Sequence, residues 1–196
     1  MFLLFSPCYL QGETLSADGI LPDPSKIVAI NNLKPPNCKT DLLKFLGMIN
    51  FLARHVPALS EQTRCLRRLL HKNKLWEWHT PHHDAWLNLK RLVCKSPVLT
   101  HYDSNKPIKI SADASRHALG AVLLQYDLNT WKPIAYASRA LTVTEQKYAQ
   151  IELELLAICF ACNKFNQFLL GKRFIVESYH KPLLTLFNTD LHICPD

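Results

Sequence analysis

No apolar run in these 196 residues approaches the roughly 20 that a membrane-spanning helix needs, so no membrane partner is expected. Internal repeats and low-complexity tracts are also missing, which excludes a solenoid, a propeller or a disordered tail. Cysteine is present but unpaired in pattern. Seven residues, an odd count at irregular spacing, do not form a secreted disulfide framework and fit a reducing, intracellular compartment better. The opening Met1-Phe2-Leu3-Leu4-Phe5 lacks a basic start and its apolar stretch stops at Pro7, so it reads as an irregular leader rather than an address. Acidic charge is the other shortage, 16 Asp and Glu against 23 Lys and Arg. The resulting net charge of +7 favours polyanionic partners, nucleic acid first.

What remains is a globular composition, 48% hydrophobic and 20% charged, with room for one sizeable domain or two small ones. Residues 12–26 are rich in turn formers, with Asp18-Gly19 and Pro22-Asp23-Pro24 as punctuation. After Lys34-Pro35-Pro36-Asn37, Thr40 or Asp41 is placed to cap a helix through Leu42, Phe45, Leu46 and Ile49, which Pro57 stops. A second helix, from about Ser60 to Leu70, sets Leu66, Leu69 and Leu70 opposite Arg64, Arg67, Arg68 and His71. The i, i+3, i+4, i+7 spacing makes one basic stripe, continued by Lys72 and Lys74. A third helix starts near Pro81, carries Ala85, Trp86, Leu89, Leu92 and Val93 inward, and ends before Pro97.

From His101 the period changes from helical to alternating. Ile108, Ile110 and Ala112 point one way, and Lys109, Ser111 and Asp113 the other. Residues 120–125 and 132–138 read as two more strands, joined by the turn Asp127-Leu128-Asn129-Thr130. Tyr148, Ile151, Leu155, Ile158, Cys162, Phe165 and Leu169 predict one long helix that Gly171 ends, with these residues as its buried stripe. Phe174-Ile175-Val176 gives a fourth strand, expected to pair parallel to an earlier one because a helix intervenes. The layout is α+β: a helical segment, then a mixed sheet with one long packed helix.

Asp113 ends a strand and is followed by Ala114 and Ser115, small neighbours that leave a carboxylate free to hold a metal close to a phosphate. A strand-terminating Asp that opens a turn has the same appearance. Glu154 lies about 100° round the helix from Leu155, at the expected edge of the core, from which it could reach toward Asp113. Two convergent carboxylates are the minimum for magnesium, and a solvated helix flank is the bland alternative for Glu154.

Several segments together resemble one family. Lys109-Ile110-Ser111-Ala112-Asp113-Ala114-Ser115, Gly120-Ala121-Val122-Leu123-Leu124-Gln125 and Pro133-Ile134-Ala135-Tyr136-Ala137-Ser138-Arg139 look like the ribonuclease H domain of gypsy-class LTR retrotransposon polyproteins. So do residues 148–158 and His180-Lys181-Pro182-Leu183. Phe45-Leu46-Gly47-Met48-Ile49-Asn50-Phe51, Trp76-Glu77-Trp78 and Ser96-Pro97-Val98-Leu99 resemble the reverse transcriptase thumb of the same polyproteins, and Ser16-Ala17-Asp18-Gly19-Ile20 the end of its palm. The resemblance implies a leader and palm remnant over 1–23, a thumb or connection segment over 24–100 and an incomplete ribonuclease H-like domain over 101–196. It also implies an RNA–DNA hybrid as substrate and the remainder of a Pol polyprotein as partner.

In such enzymes four carboxylates hold two Mg²⁺ ions that cut the RNA strand. By motif, Asp113 is the first and Glu154 the second. The third family Asp, directly before His-Lys-Pro-Leu, is Tyr179 here, a neutral phenol that serves magnesium poorly. The fourth would fall beyond Asp196. Glu177 shares a strand face with Tyr179 but stands roughly 7 Å from that position, a distant substitute. The expectation is therefore a reverse transcriptase-derived segment without hydrolysis. An active hybrid endonuclease with a compensated metal site, and a binding relic, are the alternatives. The fingers and palm aspartates have no counterpart, so DNA synthesis by this chain alone is not expected.

Arg64, Arg67, Arg68 and Lys72 are either a solvated helix face or a track for a nucleic-acid backbone. Cys159 and Cys162 read as packing residues on the buried stripe, and no second pair completes a zinc site. His79, His82 and His83 read as a polar helix start, and Trp76, Trp78 and Trp86 as core aromatics.

Overall fold

The computed structural model describes residues 8–10, 12–17 and 19–178. The turn-rich N-terminal stretch is more ordered than its composition predicts. Strands β1 (Cys8–Leu10), β2 (Glu13–Ser16) and β3 (Gly19–Pro22) form an antiparallel meander. The meander is held from a distance, because Ile20 and Leu99 exchange backbone hydrogen bonds of 2.7 and 2.9 Å. A Cβ on Gly19 would meet the Leu99 carbonyl oxygen at 2.3 Å, so only glycine allows this approach.

Four helices follow. Helix α1 (Pro24–Asn32) starts where a break was expected: Pro24 takes a first-turn position and the Asp23 carboxylate accepts from the Ser25 amide at 2.8 Å. Helix α2 (Lys39–Phe51) begins after Cys38, not at a Thr40 or Asp41 cap, and gives way to a 3₁₀ turn, Ala53–His55, before Pro57 is reached. Helices α3 (Leu59–Arg68) and α4 (Thr80–Cys94) complete the set. His82 Nδ1 accepts from the His79 amide at 3.1 Å, which makes the histidine cluster a helix start. Leu42, Ile49, Leu66, Leu69, Leu89 and Trp86 fill the core between these helices, with Trp76 and Trp78 stacked on each other at its edge.

The second layer pair is a four-stranded sheet with one long helix against it. Strands β4 (Ile108–Ala114), β5 (Ala118–Asp127) and β6 (Thr130–Ala140) are antiparallel. Leu128 and Asn129 both take positive φ in the two-residue turn between the last two, the geometry that suits the twist of a tight hairpin. Pro133 lies on the edge strand beside a bulge, where its missing N–H costs no ladder bond. Helix α5 (Gln150–Lys164) stops at Phe165, and a short α6 (Asn166–Leu169) carries the chain to β7 (Ile175–Glu177). Strand β7 pairs parallel to β4, giving the order β6-β5-β4-β7 and the crossover expected from the intervening helix.

The face of α5 differs from the expected stripe, although Phe165 and Leu169, just beyond the helix end, are buried as expected. Leu153, Glu154, Ala157 and Ala161 are buried against the sheet, while Ile151, Leu155, Ile158 and Cys162 are half-buried, and Tyr148 and Cys159 are exposed. Ala157 and Ala161 share one core with Ala112, Ala114, Ala121, Ala135 and Ala137, and small side chains let helix and sheet approach closely. Leu153 joins that contact, while Ile151, Leu155 and Ile158 flank it. No helix among the described residues is long and apolar enough to cross a membrane.

Candidate metal and nucleic-acid site

Alternation along β4 buries Ile108, Ile110, Ala112 and Ala114 under α5 and turns Lys109, Ser111 and Asp113 to the opposite face. Asp113 is exposed at the penultimate position of the strand. Glu154 comes to the same strand end from the helix side. It is only 6% exposed, and Gln150 Nε2, one turn earlier, donates both to Glu154 Oε1 (2.9 Å) and to the carbonyl of Ala114 (3.2 Å). One amide thus ties the Glu154 carboxylate to the residue after Asp113. Glu154 is a buried, hydrogen-bonded group near the end of β4, not a solvated helix flank.

Glu177 is engaged elsewhere. The parallel ladder pairs it with Ser111, two residues before Asp113 on the same face, and its Oε1 accepts from Lys109 Nζ at 3.1 Å. That ammonium also lies over the Trp131 ring, 4.7 Å from its centroid. Tyr179 and His180-Lys181-Pro182-Leu183 lie outside the described residues. Among the described residues no three His, Cys, Asp or Glu side chains converge as a metal-holding group. Asp113 and Glu154 fit a hard cation by donor type, but supply only two carboxylates.

The basic stripe sits as its periodicity predicts. Leu66 and Leu69 are buried, while Arg64, Arg67, Arg68 and His71 are exposed along α3 and the turn after it, followed by the exposed Lys72. Arg64 pairs with Glu61 at 3.1 Å, and Arg67 Nε donates to Thr63 Oγ1 at 3.0 Å. The first turn of α3 touches the loop after Asp113, where the Ser115 hydroxyl donates to Glu61 Oε2 at 3.3 Å.

A polar cluster around the buried His55 is foreshadowed by no local pattern. Glu13 on β2 accepts from Arg54 Nη1 (3.2 Å) and meets His55 Nε2 at 3.0 Å, with His55 only 1% exposed. Burial pushes the His55 imidazole below its ordinary value against the opposing pull of the Glu13 hydrogen bond. A neutral ring donating from Nε2 also explains why buried Nδ1 has no partner. The two sides are about forty residues apart, so no local pattern announces them.

These shapes have relatives. The family model for the RNase H-like domain found in reverse transcriptase matches residues 78–176, just over half of the chain. The chain belongs to that family. Around this RNase H-like domain the similarity extends further. The chain is 34% identical over 177 residues to a retrovirus-related Pol polyprotein from transposon 412 of Drosophila melanogaster, spanning 90% of this chain and 14% of that protein. The Pol polyprotein from transposon 297 of the same fly is 34% identical over 181 residues, 90% of this chain and 16% of its own length. Transposon Tf2-3 polyprotein of Schizosaccharomyces pombe (strain 972 / ATCC 24843) is 32% identical over 159 residues, 81% and 12%. The chain therefore spans roughly a seventh of the curated polyproteins it matches.

Among solved structures, foamy viral protease-reverse transcriptase in complex with an RNA/DNA hybrid superposes with a TM-score of 0.78 at 24% identity, covering 94% of this chain and 25% of that one. The same viral protein in complex with double-stranded DNA gives 0.78, 24%, 94% and 39%. These likenesses establish the α+β fold of the RNase H-like domain and the helices before it.

Proposed function

We propose that this chain is a nucleic-acid-binding piece of a retroelement reverse transcriptase whose RNase H-like centre, as the chain carries it, does not hydrolyse the RNA of an RNA–DNA hybrid. Residues 1–23 would be a leader and the end of the palm, 24–100 the thumb or connection, and 101–196 the RNase H-like domain. The carrying observation is the state of the carboxylates. Asp113 and Glu154 lie by the same end of β4, the first exposed on the face away from α5 and the second buried on the helix side, Glu177 is held by Lys109, and Tyr179 occupies the position where the family resemblance asks for an aspartate.

Asp113 and Glu154 are the residues that would hold Mg²⁺. Bound ions would activate a water and stabilise the leaving 3′ oxygen. Glu177 does not replace the third carboxylate, because moving it roughly 7 Å along β7 would break its ion pair and strand Lys109 beside Trp131. The stripe Arg64, Arg67, Arg68 and Lys72 is proposed to bind the phosphate backbone. The foamy viral complexes with RNA/DNA hybrid and double-stranded DNA support nucleic acid as the partner class.

The test is cleavage of a labelled RNA–DNA hybrid with Mg²⁺ or Mn²⁺. The wild-type chain is expected to bind without cutting, and any cleavage gained by Tyr179→Asp, which restores the third carboxylate alone, to be abolished by Asp113→Asn. Wild-type cleavage lost in Asp113→Asn and Glu154→Gln would overturn the inactive reading in favour of a compensated endonuclease. Failure to bind any nucleic acid would leave only a relic.

A further inference from the structure

We propose that the channel between α3 and the segment following β6 binds the sugar-phosphate backbone of a single nucleic-acid strand, with His117 and Gln146 forming its far wall. This rests on the nucleic-acid reading above and goes beyond it. The reading gives the helix stripe a partner, whereas the channel makes the sheet half of the molecule supply contacts as well.

The channel encloses about 650 Å³. Arg64, Arg67, Arg68 and His71 line one side, and His117, Thr142 and Gln146 the other. Its polar groups are mostly donors, and the nearby carboxylates are already committed. Glu61 is engaged by Arg64 and Ser115. Glu145 takes both Arg139 nitrogens at 2.8 Å and the Thr142 amide at 2.8 Å. An anion entering here meets no free carboxylate on these walls.

The walls are fixed relative to each other before any ligand arrives. The Ser60 amide donates to Ser138 Oγ at 2.9 Å, which pins the start of α3 to β6. On the far side the Leu141 amide donates to the His117 carbonyl at 2.8 Å, and the Gln146 amide to the Thr142 carbonyl at 3.0 Å. Arg67 is held through Nε by Thr63, which leaves its terminal nitrogens as a pre-aimed fork for phosphate oxygens. Cations repeating every three or four residues along a helix suit a polyanion with regular charges better than one isolated phosphate. At about 650 Å³ the channel has room for a short stretch of one strand's backbone. His117 belongs to the β4–β5 loop that follows Asp113, so a strand lying in the channel passes that loop.

Fluorescence anisotropy of the full chain with a labelled single-stranded oligonucleotide at low salt tests this. Gln146→Glu and His117→Ala are expected to weaken binding by about fivefold and twofold, and Arg67→Ala by about fivefold with a shallower salt dependence. Lys95→Glu, a larger charge change outside the channel, should stay within about twofold of wild type. Thermal melts check that each variant is folded. If the wild type binds and Arg67→Ala weakens it while Gln146→Glu and His117→Ala do not, the open helix face is the site and the channel is wrong. Equal weakening by Lys95→Glu, or equal competition by polyglutamate, would reduce the effect to general charge and also overturn it. No wild-type binding at all would remove the nucleic-acid reading itself, and the channel with it.

Discussion

The two halves of this molecule close their cores with different materials. Between the helices the contacts are made by Leu42, Phe45, Ile49, Leu66, Leu69, Leu89 and Trp86, large side chains that keep the helix axes apart and leave outward faces for polar work. Between sheet and helix, alanines at 112, 114, 121, 135, 137, 157 and 161 are interspersed with Ile110, Leu119, Leu123 and Leu153. Large residues contribute more apolar area, about 25 cal/mol for each Å² buried. Small ones contribute less but bring backbones together. The helical half thus displays a charged stripe, and the sheet half draws a glutamate down to a strand end. Each packing style matches the group it positions.

Breaking the helical core should have the largest effect. Leu66→Ala removes a fully buried side chain directly beneath the arginine stripe and is expected to cost about 2–5 kcal/mol, read as a lowered denaturant midpoint. The alanine interface should fail in the opposite sense. Ala157→Leu overfills a position with no exposure and is expected to cost about 1–3 kcal/mol. It should also push Glu154 away from Ala114, which hydrogen exchange at the end of β4 would report. If Ala157→Leu proves neutral, close approach is not what positions Glu154.

Two ionic clusters sharpen the contrast further. His55, buried beside Glu13 and Arg54, has a folded value below its ordinary 6.5, so the unfolded chain binds the proton more readily. Its stabilising contribution is complete above about pH 6.5 and declines as pH falls through and below that value. Chemical denaturation across pH 7.5 to about 5 should show this loss, and His55→Gln should flatten it. The Glu145 carboxyl is held at about 2, chiefly by Arg139 and the Thr142 backbone, against an ordinary 4.5. Its contribution is present above 4.5 and lost as pH falls toward 2. Glu145→Gln at neutral pH is expected to cost only about 1 kcal/mol, because the pair is partly solvated. Its clearer signature should be a loosened channel wall at Thr142.

Much of this was legible because it is local. The alternation Ile108, Ile110, Ala112 gave β4, the Asp127–Thr130 turn gave the β5–β6 hairpin, and the spacing of Arg64, Arg67, Arg68 and His71 gave an exposed basic face. The N-terminal meander was illegible because its three- and four-residue strands are fixed by Leu99, far along the chain. The buried face of α5 is not legible in the hydropathy pattern, because alanine carries little weight there while packing against a sheet rewards its small size. The Glu13, Arg54 and His55 cluster joins residues some forty apart, which no window along the chain can see.

The order of β4, β5, β6, the long helix and β7, the positive charge, the Asp113 and Glu154 carboxylates and the phenol at Tyr179 were settled by the chain itself, since each is a matter of residue type or short-range period. Tertiary structure alone decided that Glu154 is buried at the end of β4, that Glu177 belongs to Lys109, and that α3 faces His117 and Gln146 across a channel. These depend on how closely a helix can approach a sheet and on which distant side chains meet there, and both are set by three-dimensional packing.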